Sequence, residues 1–81
     1  MKVEAEFYAQ LRDLVGKSHL SVDLPQNATV TDLLEKIYEL EPVLRSQDKN
    51  ILIGTGVNFV DRRYLLSDGD AIAIMPPVQG G

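Results

Sequence analysis

The sequence predicts an α+β fold: a mixed sheet of four to five strands with one main helix laid across one face. Three patterns point to it. Apolar and polar residues alternate with period two near both ends of the chain, in KVEAEF and AIAIM, which is the spacing of strands with one buried face. Between them NATVTDLLEKIYELEP carries the 3.6-residue spacing of an amphipathic helix. A single helix cannot cover both faces of such a sheet, so one face is left to solvent or to a partner.

In chain order, Val3, Ala5 and Phe7 face one way from the first strand, and Lys2, Glu4 and Glu6 the other. YAQLRDLVG follows as a short helical turn or a wide loop, with Leu11, Leu14 and Val15 at helical spacing and Gly16 as its stop. Leu20, Val22 and Leu24 then alternate in a second strand ended by Pro25, so the first quarter reads as an antiparallel hairpin with an enlarged connection. In the main helix Thr29 is the N-cap, with Asp32 three residues on in place of the usual Glu. Val30, Leu33, Leu34, Ile37 and Leu40 form its apolar stripe, and Pro42 stops it. VLRSQDKN is a polar connection with at most a short turn of helix. ILIGTGVNFV is a third strand region in which Gly54 and Gly56 signal a bulge, a bend or a close backbone approach. VNFV turns into a short fourth strand, and SDGD is a turn with Gly69 at positive φ. The last strand sends Ile72 and Ile74 inward and Ala71, Ala73 and Met75 to the opposite face. By the same parity the open face carries Glu4, Glu6, Tyr8, Ala73 and Met75. Tyr8 and Met75 have no evident core to fill there; if they cluster, they make a docking patch.

Composition removes several function classes. At 81 residues the chain is one domain with one modest core, too small to enclose a deep active site. With no cysteine and only His19, it holds no disulfide, no side-chain thiol and no histidine metal cluster. Twelve acidic residues against eight basic ones, with no basic run beyond Arg62-Arg63, argue against nucleic acid and mildly favour a basic protein partner. Glutamates stand where a signal peptide needs an apolar run, and no stretch has the length of a membrane span, so the expected compartment is the cytoplasm. Gly54-Thr55-Gly56 lacks the later glycine and following helix of a phosphate loop. Asp68 and Asp70 flank Gly69, where carboxylates bond their own backbone more often than they catalyse.

The ending PPVQGG is where the chemistry gathers. Residues 1–75 form the expected domain and 76–81 an extended tail. Pro76 and Pro77 fix φ and lack N–H donors, so the last strand cannot continue. Held in a polyproline-like form at ~3.1 Å per residue, the tail reaches on the order of 18 Å from the fold. Val78 can anchor in an apolar slot, and Gly80 and Gly81 pass through a channel too narrow for any side chain. A carboxylate is a poor electrophile until it becomes an acyl-adenylate, and this chain has no loop to bind the ATP that requires. Another protein must activate it. A sulfur nucleophile would then leave a thiocarboxylate, and an amine an isopeptide bond.

The strand and helix order, FYAQLRDLVG, VNFV followed by LLSDGD, and the ending DGDAIAIMPPVQGG resemble the small subunit of molybdopterin synthase, a ubiquitin-like sulfur carrier of β-grasp fold. The similarity spans essentially the whole chain, and the diproline, two spacers and diglycine are its most specific part. The resemblance implies that Gly81 is adenylated by a ubiquitin-activating-like adenylyltransferase using ATP and magnesium, then takes sulfur from a donor protein. The carrier itself binds no cofactor and is not catalytic alone; the catalytic residues of the sulfurtransferase belong to the synthase large subunit, with which it forms a heterotetramer. Gly80, Val78, Pro77 and Pro76 guide the threaded tail, and Tyr8, Met75 and Val60 match positions of the apolar contact with the large subunit. Two other readings share the chemistry up to the adenylate: sulfur carriage for thiamine or tRNA thiolation, and a ubiquitin-like protein modifier.

Overall fold

The computed structural model describes residues 1–77. Strand β1 (Lys2–Phe7) leads through helix α1 (Ala9–Val15) into β2 (His19–Asp23). Helix α2 (Val30–Leu40) and a 3₁₀ segment (Pro42–Asn50) then precede β3 (Leu52–Thr55), β4 (Asn58–Val60) and β5 (Ala71–Met75). The strands form one mixed sheet in the order β2-β1-β5-β3-β4. β1 and β2 are antiparallel, with Val3 opposite Val22 and Ala5 opposite Leu20. The central pair, β1 and β5, is parallel, with Ala5 opposite Ile72 and Phe7 opposite Ile74. β3 runs antiparallel to both β5 and β4. This is the α+β, β-grasp arrangement expected from the sequence.

The local chemistry explains the element ends. Gly16 closes α1 at φ 80°, with its N–H donating to the Arg12 carbonyl. Thr29 and Asp32 form a reciprocal capping box: the Thr29 N–H donates to Asp32 Oδ2 at 2.8 Å, and the Asp32 N–H to Thr29 Oγ1 at 3.4 Å. Gly69 sits at φ 87° in the turn before β5. There Asp68 accepts from the Lys2 N–H and Asp70 from the Ser67 N–H, at 2.7 and 2.8 Å. Both carboxylates hold backbone, as turn residues do.

The core lies between α2 and one sheet face. Val3, Ala5, Phe7, Ile72 and Ile74 from the strands meet Val30, Leu33, Leu34 and Ile37 from the helix. Leu40, expected on the buried stripe, is half exposed, while Tyr38 is buried. The two residues flank the stripe, each about 80° from its centre at 100° per residue. The 3₁₀ segment covers only Tyr38's flank. That segment runs for nine residues, longer than such helices usually persist, and longer than the short turn read from the sequence. Leu44 pins it to the core. Asp48 ties it to its neighbours: the Tyr38 hydroxyl donates to Asp48 Oδ1 at 2.5 Å and Arg62 Nη1 donates to the same oxygen at 2.8 Å. Arg62 also donates to the Asp48 carbonyl, and Arg45 lies over the Tyr38 ring, 5.2 Å from its centre. The hydrogen bonds from Tyr38 and Arg62 hold the Asp48 carboxyl below its ordinary pKa. Burial first, then the bond to Asp48, pushes the Tyr38 phenol up.

Two stability predictions follow from these contacts. Thr29→Ala removes the cap and is expected to cost about 1 kcal/mol, a fall of about 4–8 °C in the thermal midpoint of a domain this size. Asp48 is more acidic folded than unfolded, so its contribution is full above the unfolded carboxylate pKa of about 3.9 and vanishes as pH falls through the lower folded value. The midpoint difference between the native chain and Asp48→Ala is therefore expected to be widest at neutral pH and to close below that range, read by thermal melts at stepped pH.

Candidate functional site

Pairing fixes what each strand shows on the uncovered face. On β2 and β1 these residues are His19, Ser21 and Asp23, and Lys2, Glu4 and Glu6. On β5 they are Ala71, Ala73 and Met75; on β3, Leu52 and Gly54; on β4, Phe59 opposite Gly54. One half of the face is therefore polar, with three carboxylates against one lysine, and the other half apolar. Glu4 accepts from the Ser21 hydroxyl at 2.6 Å, and Glu6 from the Tyr8 hydroxyl at 3.2 Å.

Tyr8 stands where the two halves meet. Its N–H donates to the Ile74 carbonyl at 3.2 Å, extending the parallel pairing by one residue, and its own carbonyl accepts from Leu11 and Arg12 in the first turn of α1. The backbone is thus fixed in both directions while the ring is 44% exposed. The hydrogen bond to Glu6, and then that carboxylate's charge, raise the Tyr8 pKa; the phenol stays neutral and donating at physiological pH.

Tyr8, Phe59, Ala73, Met75 and Gly54 surround a shallow concavity of about 260 Å³, closed at one end by the 55–58 turn. Its walls are unusually open for apolar side chains: Phe59 is 69% exposed, and Val57 in the turn 93%. Gly54 is the close approach that the sequence signalled, since a Cβ there would lie 3.0 Å from Met75 Cε. A larger cleft of about 640 Å³, lined by Gln10, Leu14, Gln47 and Asn50, borders Pro76 and Pro77 between α1 and the 3₁₀ segment. Among the described residues no group of three His, Asp or Glu side chains could hold a metal ion. Gly54-Thr55-Gly56 belongs to the β3–β4 hairpin, where no helix follows to complete a phosphate site.

The structure brings Tyr8 and Met75 into one concavity. Val60, half-buried on the edge strand β4, pairs with Ile53 and packs against the core on the side opposite to Phe59. Phe59, which the sequence reading left unassigned, holds the outward place on β4. Its signal was in the sequence, because a two-residue turn at Gly56-Val57 sets Phe59 across from Gly54. Leu52, 37% exposed on the same half of the face, also went unread. Pro76 and Pro77 sit at the mouth of the tail, directly after Met75 and against the larger cleft. Val78, Gly80 and Gly81, the expected threading and reacting residues, lie outside the described residues.

Comparison with known proteins bears on the whole length. The profile of the ThiS family matches residues 5–81. The chain is 32% identical to the molybdopterin synthase sulfur carrier subunit of Drosophila yakuba over 84 aligned positions, covering all of this chain and 92% of that one. It is 30% identical to the protein of that name from Chlamydomonas reinhardtii, with both chains fully covered. Small archaeal modifier protein 1 of Haloferax volcanii superposes with a TM-score of 0.89 at 27% identity, again over both full chains. With the fold, the full-length match and the diglycine ending in agreement, the chain belongs to the ThiS family, among whose members are sulfur carriers of molybdopterin synthase.

Proposed function

We propose that this protein is the sulfur carrier subunit of a molybdopterin synthase, bearing sulfur as a thiocarboxylate on Gly81. The observation that carries the reading is the course of β5: the central strand ends at Met75, on the apolar half of the open face, and the diproline tail departs from that point. The docking surface and the reacting end are then one continuous feature. A partner that grips Tyr8, Phe59 and Met75 receives the tail in a direction already set by the strand.

The division of labour follows. An activating adenylyltransferase uses ATP and magnesium to convert the Gly81 carboxylate to an acyl-adenylate, releasing pyrophosphate. Sulfur delivered by a donor protein at the sulfide level then attacks the acyl carbon and displaces AMP, leaving the thiocarboxylate. The large subunit takes the charged tail into its own active site, where Gly80 and Gly81 pass without side chains, Val78, Pro77 and Pro76 line the approach, and the sulfur is used for dithiolene formation. Two carriers and two large subunits make a heterotetramer. No helix among the described residues is long and apolar enough to cross a membrane, and we place the reaction in the cytoplasm, where ATP and the donor are at hand.

A second reading, conjugation to lysines as a protein modifier, is favoured by the superposition on small archaeal modifier protein 1. Sulfur carriage for thiamine or tRNA thiolation would use the same adenylate. Affinity purification separates these outcomes: a synthase large subunit, a ladder of conjugates, or a different sulfur-accepting enzyme.

Two measurements test the main reading. Incubation with activating enzyme, ATP and a sulfur source is expected to exchange one C-terminal oxygen for sulfur by intact mass. Deleting Gly81, or adding one residue after it, is expected to abolish that exchange while leaving the melting curve unchanged; sulfur transfer by the deletion variant would refute the assignment. Tyr8→Glu and Met75→Glu are each expected to weaken large-subunit binding about tenfold or more. Tyr8→Glu, at an exposed position, is expected to stay within about 0.5 kcal/mol of native stability, while Met75→Glu, at a half-buried one, is expected to lose more stability without unfolding. Titration calorimetry and thermal melts read the two effects separately.

A further inference from the structure

The hairpin glycine Gly54 has no part in the tail chemistry. It is not a tight-turn glycine: it sits inside β3, paired with Ala73 on one side and Phe59 on the other. A glycine inside a strand forfeits packing and conformational entropy, so something must offset that cost. A Cβ at this position would meet Met75 Cε at 3.0 Å, with the Asn58 carbonyl oxygen next at 3.6 Å and Ala73 Cβ at 3.8 Å. The missing side chain is the seat of the Met75 methyl group.

From this we infer that Gly54 determines partner specificity, by letting Met75 lie flat so that the concavity between Tyr8 and Phe59 stays open for one protruding apolar side chain of the partner. The floor is then Gly54, Ala73 and the Met75 thioether, and the walls are aromatic. A space of about 260 Å³ suits one large aliphatic or aromatic side chain and no longer peptide. Methionine is an adaptable floor, because its thioether conforms to an irregular surface and favours aromatic neighbours. Glu4 and Glu6 stand on the adjoining strand of the same face, so the matching surface carries its apolar knob beside basic residues. The inference rests on the carrier reading above, with the synthase large subunit as the one occupant.

A Cβ at position 54 obliges the Met75 tip to give by a few tenths of an ångström, and Met75 lines the concavity, so the fit there changes. What yields is the flexible end of a methionine, so Gly54→Ala is expected to fold with little loss of stability. Ala73→Val fills the same floor with a residue that favours strands and serves as a second variant.

The test is a double-mutant cycle for binding to the molybdopterin synthase large subunit, by titration calorimetry, with thermal melts alongside. Gly54→Ala and Ala73→Val are expected to lower affinity about tenfold, the effect of overfilling a fitted site. Once Met75→Ala has removed the tip, adding Gly54→Ala is expected to change affinity by less than about twofold. Native-like affinity in both single variants overturns the inference, and so does an equal loss from Gly54→Ala in both backgrounds. Concentration-dependent self-association that Gly54→Ala abolishes would assign the concavity to a second copy of the chain and overturn it too. Failure of the unmodified chain to bind the large subunit overturns the carrier reading and this inference together, whereas native binding that is indifferent to position 54 overturns this inference alone.

Discussion

The parallel ladder between β1 and β5 is the interaction on which the other parts depend. It joins the two ends of the chain at the middle of the sheet, with Glu4 opposite Ala71 and Phe7 opposite Ile74. Because side chains alternate along each strand, that register decides at once which residues meet α2 and which look outward. A slip of one residue would bury Glu4 and Glu6 and expose Val3 and Ala5. The same ladder, extended by the Tyr8 N–H on the Ile74 carbonyl, sets Tyr8 beside the end of β5 and so places an aromatic ring next to the tail.

The two faces of the sheet are held by different chemistry. Beneath α2 the packing is apolar throughout, with no buried charged side chain among the described residues. At the rim, Asp48 receives Tyr38 and Arg62 at once, linking the helix, the 3₁₀ segment and the loop after β4. The Asp48 and Arg62 side chains remain about two-fifths exposed, so the Coulomb part of the pair is screened, and the clasp acts chiefly as directional hydrogen bonding. It keeps the cover in place over one face while the other stays bare.

Much of this was legible in the residues. KVEAEF and AIAIM gave their faces by alternation alone, Thr29 and Asp32 marked the start of α2, and Gly16 and Gly69 marked turns that require positive φ. The readings that missed share a cause: they depended on what lies across space. Leu40 and Tyr38 are equivalent by helical angle, and only the course of the 3₁₀ segment buries one of them. Phe59 went unread because its facing, opposite to that of its neighbour Val60, follows from the β3–β4 register. The length of the 3₁₀ segment depends on Asp48 meeting partners that are 10 and 14 residues away in sequence. Gly54 announced a close approach, but the approaching atom belongs to β5.

The central place of β5 also decides how the molecule answers a pull. A load applied to the tail runs along the strand axis and is shared between the β1 and β3 ladders as shear, so their hydrogen bonds resist together instead of opening one at a time from an edge. In the proposed carrier role the tail would have to be drawn out of each partner that receives it, and this geometry lets the handle be tugged without unzipping the body.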